Sequence, residues 1–206
     1  MTMTLPQANL FDYFSAFVSV VLGLAVADIA HSLHGLLVAR KRVNWSPLPL
    51  LSALVVFTLI IAYFLRLWDK GLGITEISFY WVAVEAAYVL ILFLVAAATL
   101  PDEIPPEGLD LQAWYMENRA YLFWLAAAVQ VWNLVDFVVH FPEHAATGEA
   151  VPMGEWMAVG QAIGAMILTV VLARSSRRWL HGIAFVGILI LAHFGFRGFA
   201  IDYVPD

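Results

Sequence analysis

Six long apolar runs occupy almost the whole chain, and a chain patterned this way has to satisfy a bilayer before anything else. They extend from Leu10 to Ala39, Leu48 to Trp68, Phe79 to Leu100, Arg119 to Phe141, Gly154 to Ala173 and Leu180 to Ile201. At about 1.5 Å per helical residue, each covers a hydrocarbon layer of about 30 Å. In lipid every backbone N–H and C=O must find its partner within the segment or in a closed barrel. A barrel needs segments of about ten residues in strict alternation, whereas Leu51 to Ile61 and Val89 to Ala98 are almost continuously apolar. The expected fold is therefore all-α: a polytopic membrane protein, one bundle of six transmembrane helices over residues 1–206. The charged fraction of 13% is about half that of a soluble domain, and the short links leave no room for a second domain.

Orientation follows from the basic residues. Arg40, Lys41, Arg42, Arg119, Arg174, Arg177 and Arg178 fall at one side of the six runs, and Arg66, Lys70 and Arg197 at the other. Seven against three puts both termini outside, which in a bacterial inner membrane means the periplasm. The tail before Leu10 has no Lys or Arg, so it lacks the basic start of a cleavable signal peptide. Asp102, Glu103, Glu107 and Asp110 then lie inside, and Glu143, Glu149 and Glu155 outside. The net charge of −6 argues against nucleic acid as a partner. The absence of cysteine removes disulfides and thiolate chemistry.

The first run, thirty residues long, would measure roughly 45 Å as a helix and must tilt or begin in the interface. Pro47 and Pro49 open the second run, where a missing N–H costs least. Leu109 to Asn118, with Trp114 and Tyr115, is expected to be a separate amphipathic stretch lying flat at the inner surface. Gly160 and Gly164 form a GxxxG pair, which serves close packing within one chain or an interface between copies. A homo-oligomer is expected.

Ionisable side chains inside spans are costly and by default mark a site or a fastening between helices. Gln130, Asn133, Asp136 and His140 recur at three- and four-residue steps, on one helical face. By rise per residue, Glu85, Arg66 and Arg197 fall near the depth of Asp136, with His193 somewhat deeper. Asp28 lies near mid-bilayer, with His31 and His34 following toward the inner side. Together these residues outline a polar route across the membrane, and polar ligands are what a proton or small cation needs in place of water. The leading expectation is conduction or transport of protons or small cations. The alternative is a non-conducting scaffold or partner subunit in which Glu85 and Asp136 pair with Arg66 and Arg197 and merely fasten helices.

No catalytic set is expected. His140-Phe141-Pro142-Glu143-His144 matches an inverted zinc-peptidase pattern, but Pro142 disfavours the regular helix that would bring both histidines together. His140, Glu143 and His144 remain weak metal candidates. Haem b is a further alternative and would need facing histidines, His140 with His193 or His34 with His181. The first pair is mismatched in depth. No cofactor is expected.

Val21-Leu22-Gly23-Leu24, the basic turn Arg40 to Arg42, and Leu100-Pro101-Asp102 leading to Asn118-Arg119 carry a resemblance. Over the first two-thirds of its length the chain resembles uncharacterised small six-helix bacterial inner-membrane proteins. That resemblance implies a fold and a location but no activity. The chain is also compared with small bacterial potassium channels through Phe14-Ser15, but Leu10 and Ala16 stand where their signature has Arg and Asp.

Overall fold

A computed structural model of the chain describes residues 7–71, 79–147 and 153–196. These residues form six helices: α1 (Gln7–Val38), α2 (Pro47–Gly71), α3 (Phe79–Ala97), α4 (Leu111–Thr147), α5 (Met153–Arg174) and α6 (Arg178–Phe196). The only strand pairing among them is a two-residue parallel ladder, Val43–Asn44 (β1) against Leu109–Asp110 (β2).

Local chemistry sets the boundaries. Pro47 supplies a fixed φ at the first position of α2. The Leu100-Pro101 step follows the end of α3, where the Thr99 hydroxyl donates to the Ala96 carbonyl at 2.7 Å. Asp110 caps α4, its Oδ1 accepting the Ala113 N–H at 2.8 Å. The Ser175 hydroxyl accepts the Arg177 N–H at 3.2 Å just ahead of α6.

α4 differs from the expected pair of elements. It is a single helix of 37 residues, about 55 Å long, that begins at Leu111 rather than Arg119. The stretch expected to lie flat is its first two turns, because Leu111 and Tyr115 are buried there. The helix also continues past Pro142 to Thr147.

α2 is central and touches α1, α3, α4 and α6, while α5 packs mainly along α4. The principal core draws Val18, Leu22 and Ala25 from α1, Val56 and Ile60 from α2, and Val89, Leu92 and Val95 from α3. Leu122 and Phe123 of α4 and Phe185 of α6 complete it. Among the described residues two helices are long and apolar enough to cross a membrane, over Tyr13–Val38 and Pro47–Leu67. Shorter apolar stretches lie at Trp81–Ala97, Val159–Arg174 and Arg178–His193.

One end of the bundle gathers the α1–α2, α3–α4 and α5–α6 links. Leu109 N–H donates to the Arg42 carbonyl at 2.9 Å, and the Arg42 guanidinium donates to the Pro106 carbonyl at 3.2 Å. Asn44 Nδ2 reaches Asp110 Oδ2 at 3.1 Å. Ser46 donates to Gln112 Oε1 at 2.8 Å. Gly108 has φ +103°, and a Cβ there would sit 2.6 Å from the Arg42 carbonyl oxygen. Only glycine lets these two links approach so closely.

Candidate functional site

Polar side chains gather in two layers. The first lies at the closed end of the bundle. His181 is fully buried on α6, and its Nε2 contacts the Ser175 carbonyl at 3.1 Å while its Nδ1 contacts the Tyr115 hydroxyl at 2.8 Å. A carbonyl cannot donate, so Nε2 carries the hydrogen and Nδ1 accepts from Tyr115. Arg119 Nε donates to the same Ser175 carbonyl at 2.9 Å, and its Nη1 donates to the Met116 carbonyl. Four residues from α4, the α5–α6 link and α6 are thereby tied together. His181 thus has both ring nitrogens engaged within the chain.

On the α1 side of the same end, Ser32 is buried and donates to Asp102 Oδ1 at 3.2 Å. Asp28, half-buried, lies within electrostatic reach of Asp102 and His31. His31 and His34 themselves are exposed on the outward face of α1. Next to Asp102, a cavity of about 230 Å³ opens between the end of α3 and the first turns of α4. Asp102, Glu103, Trp114, Asn118 and Tyr121 line it.

The second layer sits toward the opposite end. Glu85 is buried on α3, and its carboxylate accepts the Tyr63 hydroxyl at 2.8 Å. A cavity of about 20 Å³, room for one water, adjoins this pair and is also lined by Arg66, Tyr88, Trp132 and Asn133. Asn133 Nδ2 points to Gln130 Oε1 at 3.4 Å. The structure thus brings Glu85, Arg66, Gln130 and Asn133 near one another, with the Tyr63 hydroxyl on the Glu85 carboxylate. His193 is exposed on α6. Asp136, His140, Glu143 and His144 lie on α4, but their side chains fall outside the described part, and Arg197 is outside the described residues altogether. Among the described residues no group of three potential metal ligands is gathered.

Between the two layers the core formed by the described residues is apolar. From Glu85 to Ala96 along α3 is about 16 Å. That interval is filled by Val89, Leu92 and Val95 with Val56, Ile60 and Phe123 from the neighbouring helices. Gly160 and Gly164 face away from the rest of the chain, with nothing within 4 Å of where a Cβ would stand. They do not serve packing within the described chain.

The sequence pattern does not single out Tyr63 or Tyr115 as site residues, and it offers His181 only as a haem ligand. A usable signal existed for Tyr115. Leu111, Tyr115, Phe123 and Ala127 fall on one row of four-residue steps, and Arg119 completes it. Such a row marks one continuous buried helix face.

Comparison with protein-family models, curated proteins and solved structures found no match.

Proposed function

We propose that the chain is a multi-pass membrane protein whose six helices all cross the bilayer, and that it acts there as a non-conducting binding or partner subunit. The membrane part of this reading is supported by apolar side chains facing outward on every helix. Examples are Val20 and Leu24 on α1, Leu54 and Phe57 on α2, Leu90 and Leu94 on α3, Val131 and Val138 on α4, Ile163 and Ile167 on α5, and Ile183 and Leu191 on α6. Water would penalise such a surface, whereas lipid tails accept it. The two longest apolar helices are only 22% and 39% buried over their spanning windows, unlike the core helices of a soluble protein. The seven basic residues at the closed end favour placing that end in the cytoplasm, with both termini outside.

The observation that carries the non-conducting reading is the apolar plug between the two polar layers. An ion crossing it would lose water over about 16 Å with no polar ligand in return. A second reading has a specific observation behind it: Ser19, Gly23, Ala27, His31 and His34 are exposed together on α1. That face could border a proton or cation route formed between copies, with Asp28 at its edge.

Proteoliposome flux separates the two. Under a pH gradient or a voltage, the wild-type chain is expected to pass protons and potassium no faster than protein-free vesicles. Flux that the wild type supports and Asp28→Asn or a His31→Ala, His34→Ala double variant abolishes would overturn this reading in favour of the route between copies.

A further inference from the structure

We propose that the cavity between the end of α3 and the first turns of α4 is a binding site for an organic ammonium group. Its volume of about 230 Å³ exceeds what a bare metal ion needs and suits a small organic cation. No lysine or arginine lines it. Two of its walls are the carboxylates of Asp102 and Glu103. Ser32 occupies Oδ1 of Asp102, and Oδ2 takes no protein donor among the described residues. Asn118 donates its Nδ2 to the Trp114 carbonyl at 2.9 Å, so its remaining side-chain atom, Oδ1, is an acceptor.

The backbone adds to this. Ala97, the last residue of α3, and Ala98 and Leu100, which follow it, line the same space. The negative end of the helix dipole favours a cation there. Trp114 and Tyr121 supply aromatic rings beside the carboxylates. Rings so placed attract alkylammonium groups through the negative charge of their faces, and they cover the apolar part of the ligand as a hydrated metal ion would not require. Acceptors, helix end and rings all select the same chemistry: a cationic nitrogen carrying carbon. A soluble amine and the ammonium headgroup of a lipid share that chemistry. The proposal goes beyond the membrane-subunit reading and stands whether or not the chain conducts.

The test uses the full chain in non-ionic detergent, with thermal stability read against tetramethylammonium chloride and against potassium chloride at equal ionic strength. Tetramethylammonium is expected to raise the melting temperature saturably, and potassium is not. Glu103→Gln, on an exposed side chain whose change does not threaten the fold, is expected to weaken the effect at least tenfold. Asp102→Asn keeps an acceptor for Ser32 and should do the same, as should Trp114→Leu. A second arm compares nanodiscs of phosphatidylcholine with nanodiscs of phosphatidylglycerol. Stabilisation there that Glu103→Gln removes, without a response to the soluble ion, assigns the site to a lipid headgroup. Equal stabilisation by potassium, an unchanged response in the variants, or no response in either arm would overturn the proposal.

Discussion

A histidine buried without solvent has to account for both ring nitrogens, and His181 does so with Tyr115 on one and Ser175 on the other. Removing one partner leaves the other orphaned, which costs more than the bond itself contributes. Tyr115→Phe is therefore expected to destabilise the chain by about 1–3 kcal/mol, read from denaturation in detergent. Adding His181→Phe should recover part of that loss, because an apolar pair leaves no orphan. Strict additivity of the two changes would contradict the pairing. Asp110 offers a different test at the same scale. The Ala113 N–H, helped by Asn44, holds its carboxyl below the ordinary value of 3.8. A depressed carboxyl contributes stability above its unfolded value and loses it as pH falls through the folded one. Wild-type stability should then fall on acidification below about pH 4, and more steeply than that of Asp110→Ala. Parallel curves for the two proteins would show that the cap contributes nothing to acid sensitivity.

Helices pack or face outward according to which stripe each presents, and α5 shows how a sequence leaves that choice open. Its GxxxG pair fits packing inside one chain as well as an interface between copies, since both need close approach. Open space beside Gly160 and Gly164 resolves it against the first use. Gly164→Leu should not destabilise the dispersed chain, and the better helix propensity of leucine should raise its stability by up to about 1 kcal/mol. If copies join through this face, the same change should halve or further reduce the particle mass measured by light scattering in detergent. A large loss of stability would instead mean that the glycine packs against its own chain. The other helices divide in the same way. The existence of six helices, their order and the breaks at Pro47 and Pro101 were legible, because apolar run length and proline chemistry are local properties. The true start of α4 was not. Trp114, Glu117 and Arg119 gave 111–118 a mixed character that hid the row through Leu111, Tyr115 and Phe123. The candidate site was less legible still. Depth along each helix put Glu85 near the level of Asp136, and only the packing directions show that Asn133 and Tyr63 are the residues beside its carboxylate and that His31 and His34 face outward.

At the scale of the whole molecule, the decisive question is which surfaces meet water. The closed end carries Arg42 against the Pro106 carbonyl, Arg119 against Ser175, and the Arg174 guanidinium 5.6 Å from the Trp124 ring. Basic side chains gathered at this end, one of them over an aromatic ring, are what the proposed orientation would set at the headgroup layer. Because the chain has no cysteine, single cysteines can be introduced without removing any native one. Glu107→Cys and Ser176→Cys sit in exposed links at the closed end, and Glu149→Cys sits in the link between the fourth and fifth apolar runs. In intact bacterial spheroplasts a membrane-impermeant maleimide is expected to label Glu149→Cys at once. The other two should label only after the membrane is permeabilised. Labelling in the reverse pattern would invert the orientation and leave the six spans standing. Equal labelling of all three in intact spheroplasts, with the protein in the membrane fraction, would place both ends of the bundle on one side. That would remove the six-span reading, since an odd number of crossings must separate the closed end from the link after α4.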